Sequence, residues 1–402
     1  MRSLRLLIPV AAVMACDAGA SDPPQYGYYE HVLPILAENC LSCHISGASA
    51  RVRHLETYEG AKAVADLISH MVEHRHMPIW GPDDSGTCKT WQDARWLSAE
   101  QVQTITRWAL SGAPAGRIVQ PTLPTPKEPR PLDHVDRTLV AGAGYATGVG
   151  PRAIRCFVVD PQLTGDQFLT GIRVTPDWPW SVKQVTLFSL DSTESEARAA
   201  ALDDADPDPG YPCSAWSGVT DSRLLVGTGW GSLTLKLPEG TGILLPSGRK
   251  LVAQVHYNLL VGSGIEGRVE LGLELASTAR AASLLMWQVE NFFLDPGKQQ
   301  TSIVGYFTVP ESMTVLGIYP RMRTLGGAYD LAIDGSCAMQ MHHWDFHGLQ
   351  QLYKYESPLD LQVGQSVRLT CSYTTSGQLS IVLGGTPGGQ EECTALLYAV
   401  TR

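Results

Sequence analysis

From about residue 138 to the C-terminus the chain is a succession of short alternating apolar runs cut by Gly, Pro, Asp and Asn. Val182 to Leu190, Leu233 to Leu237, Lys250 to Leu260, Val269 to Leu275 and Gln378 to Leu383 are examples. Successive side chains of a strand point to opposite faces, so each run has a face to bury, and the frequent turns fold one strand back on the last. The spacing predicts β-sandwich structure with almost no helix, and roughly 265 residues is enough for two sandwiches in series. Their boundary is expected near 276 to 285, around the Ala-rich stretch Ala276 to Ala282, giving sandwiches over 138–278 and 279–402.

Upstream the texture differs. Residues 23–117 look helical and irregular: Tyr28 to Glu38 and Tyr58 to Glu73 are predicted helices. Ser98 opens a third, with Glu100 and Gln101 in its first turn, and Gly112-Ala113-Pro114 stops it. The stretch from Gln120 to Pro131 is rich in proline and predicts an extended linker within 118–137. A chain of 402 residues exceeds one ordinary core, and 17% charged residues with 39 Gly and 26 Pro suit a β-rich secreted protein. The net charge of −10 argues against nucleic acid, which needs clustered Lys and Arg.

The first residues predict export. Arg2 and Arg5 precede the apolar run Leu6 to Met14, too short to span a bilayer, followed by Ala15 and Cys16. Val13-Met14-Ala15-Cys16 resembles a bacterial lipobox, which makes 1–15 a signal peptide, Cys16 the lipidated residue and 16–22 a tether. The competing reading is a plain cleaved signal with an incidental cysteine. No comparable apolar segment follows, so contact with the membrane is expected through the lipid alone, at the bacterial cell envelope on its periplasmic or exterior face. Of nine cysteines, six stand apart from Cys16 and the Cys40–Cys43 pair, enough for three disulfides in an oxidising compartment.

Cys40-Leu41-Ser42-Cys43-His44 is a CxxCH motif. Two thiols at that spacing add across haem vinyl groups and the adjacent His becomes an axial ligand, so covalent haem c is the expected cofactor. A zinc site would want a second ligand pair and a thioredoxin-like dithiol a βαβ setting, and neither is visible. Met77-Pro78 supplies the sixth ligand at Met77, with His70, His74 and His76 as competitors. The segment resembles a bacterial cytochrome c module, from "VLPILAENCLSCH" through "MPIW" to "LSAEQVQTITRWALSGAP".

After the linker, Arg155-Cys156-Phe157, Gln254-Val255-His256-Tyr257-Asn258, Trp344-Asp345-Phe346-His347, Leu369-Thr370-Cys371-Ser372-Tyr373 and Glu391-Glu392-Cys393 run in an order that resembles the copper type II ascorbate-dependent monooxygenases. That resemblance implies two antiparallel sandwiches of jelly-roll type, a copper on each, and disulfides Cys156–Cys213 and Cys371–Cys393, with Cys88 and Cys337 left over to pair across domains. Carried onto this chain, the His pair of one copper site falls on Lys183 and Gln184, with His256 as a residual ligand. Both His of the other fall on Arg321 and Arg323, and its Met on Glu392. Guanidinium does not ligate copper, and only His256, His342, His343 and His347 lie beyond residue 135, so the missing ligands weigh against copper. Arg321 or Arg323 is expected to pair with Glu392 or a neighbouring acid instead. The remaining landmarks have plainer readings. His342, His343 and His347 read as satisfied or surface residues, and Glu391 with Glu392 as a solvated turn. Trp178, Trp180, Trp216, Trp230, Trp287 and Trp344 read as sandwich core.

The expected architecture is a small all-α cytochrome c domain followed by two antiparallel sandwiches. Two functions stay open. One is an envelope haem c protein acting in electron transfer or binding, with an electron donor or acceptor protein as partner and a degenerate monooxygenase module. The other is an active copper-dependent monooxygenase hydroxylating a small substrate with electrons from the haem.

Overall fold

The computed structural model describes residues 26–45, 53–92, 94, 96–118, 130–148, 154–178, 181–214, 216–229, 233–259, 264–346, 350–386 and 389–401. The expected lipidation site Cys16, most of the Pro-rich linker, Trp180, Trp230 and His347 lie outside them. Strand takes 41% and helix 15% of the described residues, so the protein is mostly β.

Helices Tyr28–Val32, Leu33–Asn39, Tyr58–Lys62, Ala65–Glu73 and Ala99–Leu110 gather around Tyr28, Leu36, Ile105 and Trp108. Ser98 starts the last of them. Its hydroxyl accepts from the Gln101 N–H while the Gln101 side chain accepts from the Ser98 N–H, a reciprocal cap that satisfies two otherwise unpaired donors.

These helices are not the separate all-α domain expected over 23–117. Strand Trp91–Gln92 leaves them and pairs with Tyr353–Leu361, placing Trp91 opposite Tyr355 with the rings stacked at 4.4 Å. Trp91 and Ala94 belong to the core of the second sandwich, and Ile79 packs against it. Cys88 is bonded to Cys337, and Asp83 N–H donates to Gln340 O at 2.7 Å. The physical reason lies in residues 79–94, which lack helical periodicity and carry apolar side chains that the sheet edge can bury while it pairs their backbone.

The first sandwich has one sheet in the order Tyr211–Pro212, Ile154–Val159, Leu251–Tyr257, Val182–Leu190, Ser222–Gly227. Facing it is a sheet in the order Arg280–Ala281, Thr241–Leu245, Gln167–Pro176, Val269–Ala276, Arg137–Ala141, with Thr234–Lys236 also paired to Gln167–Pro176. The chain crosses over between Arg280–Ala281 and Ser283–Gln288. The second sandwich sets the order Trp91–Gln92, Tyr353–Leu361, Met313–Arg321, Thr394–Thr401, Ser283–Gln288 against Thr301–Thr308, Ser366–Tyr373, Gly326–Ile333, Ser336–Met341. Disulfides Cys156–Cys213 and Cys371–Cys393 lie one in each sandwich.

One sheet serves two cores. Along Thr394–Thr401, Ala395, Leu397 and Ala399 face the second core, while Leu396, Tyr398 and Val400 join the first together with Tyr319 and Leu352. A strand covered on both faces reads as an unbroken apolar run, and "TALLYAV" is one. Tyr398 also donates to the Thr241 hydroxyl at 3.0 Å across the seam.

Two expectations are corrected in this region. Helix Thr193–Asp204 stands where almost no helix was expected, started by a reciprocal cap between Ser192 and Ser195. Its sequence is too polar and alanine-rich to show an apolar stripe, so periodicity gives no sign of it and only the cap does. Trp287 and Trp344 are core, but Trp178 is 56% exposed in the turn after Gln167–Pro176.

Candidate ligand-binding junction

Gln184, Arg321 and Glu392 fall along the seam between the sandwiches. Arg321, at the end of Met313–Arg321, donates from Nη2 to Glu392 Oε1 at 3.1 Å, with both side chains almost fully buried. Its guanidinium lies 4.8 Å from the Trp216 ring of the first sandwich and 5.8 Å from Tyr319. Burial alone would depress its pKa, and Glu392 with Tyr319 more than offsets that, so the guanidinium keeps its charge. Gln184 donates from Nε2 to Tyr319 Oη at 2.8 Å and to Gln350 O at 2.9 Å, tying the other side of the seam.

Glu391 and Glu392 are not the solvated turn expected of them: they are 1% and 5% exposed. Glu391 accepts from the Arg323 N–H at 3.0 Å and the Leu325 N–H at 2.7 Å. Burial outweighs those bonds and raises its carboxyl to about 7. Arg323 is also bonded through Nη1 to Gly389 O. His256 lies buried on Leu251–Tyr257 between Ile154 and Gln184, its ring 5.8 Å from Phe346.

The motif residues of the helical unit lie elsewhere. Cys40 ends helix Leu33–Asn39 with its N–H on Leu36 O, Cys43 N–H bonds Cys40 O, and His44 Nδ1 is 2.9 Å from Arg53 O. Cys40 and Cys43 are outside the three disulfides. Met77 is 37% exposed beyond helix Ala65–Glu73.

Three units converge where that helix ends. His70 and His74 lie one turn apart, rings 4.1 Å apart, and His76 lies 6.3 Å from each. Across the joint, His343 of the second sandwich meets His76 at 5.2 Å, edge to face. Burial lowers the His343 pKa, His76 beside it lowers it further, and Asp345 opposes both. Asp345 also faces Lys183 of the first sandwich, whose pKa burial depresses against the pull of that carboxylate. The neighbouring His342 holds Asp83 at 2.8 Å, a bond that pins residues 79–94 to the sheet. Arg75 adopts a left-handed backbone with φ 57°, which brings His76 back beside His70 and His74 while its guanidinium stacks on Trp80 and Trp96. In the sequence His70, His74 and His76 read only as competitors of Met77, and His343 as a satisfied or surface residue. Their convergence depends on a joint between distant segments that no local pattern shows.

No family model and no curated protein matches the chain. Among solved structures it is similar to the major capsid protein P2 of Bacteriophage PM2 at 12% identity, covering 66% of this chain and 97% of that one with a TM-score of 0.27. It is similar also to the infectious bursal disease virus VP2 subviral particle at 11% identity, covering 68% and 74% with a TM-score of 0.18. Likeness this slight carries no inference about fold or activity. The resemblance to cytochrome c modules and copper monooxygenases is corrected by the same comparisons, since no family match of either kind supports it. Among the described residues no group of three or more His, Cys, Asp or Glu stands ready to hold a metal ion, and the helices form no independent cytochrome domain. Haem c on Cys40, Cys43, His44 and Met77, and copper at His256, are therefore withdrawn together with the oxidoreductase reading.

Proposed function

We propose that the chain is an exported binding protein of the bacterial cell envelope, tethered by lipid at Cys16, whose ligand site is the junction of its helical unit with the two sandwiches. The observation that carries this reading is the convergence of His70, His74 and His76, His343 with Asp345, and Lys183 from three separate units. Sites for small ligands form where units meet and a few polar groups point to one place. The buried polar groups of the seam, by contrast, are engaged with each other: Arg321 with Glu392, and Gln184 with Tyr319, act as joints. Electron transfer rested on the haem and is not retained. Among the described residues no helix is long and apolar enough to cross a membrane, and the lipid serves as the anchor.

Native mass spectrometry of protein released from membranes by mild detergent tests the site. A bound small species is expected, lost when His343→Ala is combined with Asp345→Asn. The bare protein mass in both preparations would overturn the reading. Labelling with an alkyne analogue of palmitate tests the anchor, with the label and membrane association both expected to disappear in Cys16→Ser.

A further inference from the structure

Two buried donors beside the junction have no acceptor. Trp80 is 5% exposed, and its indole Nε1 has no hydrogen-bond partner among the described residues. The shielded Nη1 of Arg75 has none there either. Buried N–H groups are nearly always bonded, so an unpaired one is either a cost the fold carries or a group kept for a ligand. Here two of them share one cluster. The Arg75 guanidinium lies 5.3 Å from the Trp80 ring and 4.6 Å from Trp96, and the two indoles meet edge to face at 4.8 Å.

The backbone favours the second reading. Arg75 has φ 57°, a region in which a non-glycine residue is held only by its surroundings, and such positions gather at functional sites. Stacking on the indoles engages the flat face of the guanidinium and leaves its N–H fork free in its own plane. No Asp or Glu of the described residues forms an ion pair with Arg75, so its charge is uncompensated among them. A planar cationic fork beside an indole N–H suits a carboxylate, which is flat, carries one negative charge and offers two oxygens at about 2.7–2.9 Å. A phosphate brings more oxygens and more charge than these two donors satisfy. Arg75 and Trp96 are both partly exposed, which leaves an approach from solvent on their side.

We infer that Arg75 and Trp80 bind the carboxylate of a small organic acid, the guanidinium taking one oxygen and the indole N–H the other. The inference rests on the proposed function, because Arg75 adjoins His76 at the same junction, and it names the ligand class of that site. The experiment titrates the full chain with acetate, butyrate and benzoate, read by calorimetry and by the indole N–H signals in a proton–nitrogen correlation spectrum. At least one acid should bind with one equivalent and move downfield a single indole signal, the one missing from Trp80→Phe. Benzamide, which has the shape of benzoate without the charge, should not bind. Trp80→Phe keeps the ring and loses the donor; Arg75→Gly keeps the left-handed backbone and loses the fork. Each should weaken the acid at least roughly tenfold. Should Trp80→Phe fail to fold, Arg75→Gly and the wild-type indole shift still decide. Binding of none of the three acids at millimolar concentration, equal affinity in Arg75→Gly, or tighter binding of inorganic phosphate would overturn the carboxylate. A bound species of another class seen by native mass spectrometry would then leave the binding reading standing.

Discussion

Arg321 and Glu392 are counter-ions at 3.1 Å in a place water does not reach. Removing one partner leaves an uncompensated buried charge, so Glu392→Leu should cost about 3–5 kcal/mol in urea unfolding, whereas Arg321→Met combined with Glu392→Leu should recover most of it. A double variant as unstable as the single would contradict the pairing. Glu391, beside it, behaves in the opposite sense. Its carboxyl is raised from 4.5 to about 7, so the folded chain keeps a proton that the unfolded chain releases. The stability this lends is full below about 4.5 and is lost as pH rises through about 7. The unfolding free energy from urea titrations should therefore fall between pH 5 and pH 8, by an amount on the order of 3 kcal/mol at most, and Glu391→Gln should flatten that slope. An unchanged slope in the variant would assign the effect to other groups. The pairing of an Arg with a neighbouring acid was legible in the sequence. The burial of Glu391 was not, because two adjacent glutamates before a cysteine look like any exposed turn until the sheet closes over them.

At the scale of elements, much of the strand pattern was legible because alternation is a local signal. Val182–Leu190 runs as predicted, and Val269–Ala276 differs from expectation by one residue. What failed were elements whose cause is distant or non-periodic. Helix Thr193–Asp204 announces itself only by its cap, and Ser192→Ala should cost about 0.5–2 kcal/mol without loss of the fold. Strand Trp91–Gln92 is too short to show a period and exists because the edge of Tyr353–Leu361 accepts it. The Cys88–Cys337 bond fixes that docking across 249 residues. Cys88→Ser with Cys337→Ser should lower stability by about 2–5 kcal/mol and raise hydrogen exchange first in residues 79–94. Uniform exchange, with no preference for that segment, would contradict its role as a strap.

For the whole molecule, the sheet containing Thr394–Thr401 is part of both cores, and the helical unit is laced to its edge. The groups of the proposed junction come together only when this body is assembled, since His76, His343 and Lys183 come from three different units. This is also why the candidate site was nearly illegible beforehand. Histidines separated by some 270 residues carry no shared pattern in sequence. The most direct test is hydrogen exchange, peptide by peptide, on protein taken gently from the envelope and on the same protein after unfolding, desalting and refolding. A binding junction predicts that segments 66–78 and 341–346 lose protection together in the refolded sample while both cores are unchanged. Identical profiles, or a loss of protection confined to other segments, would contradict it.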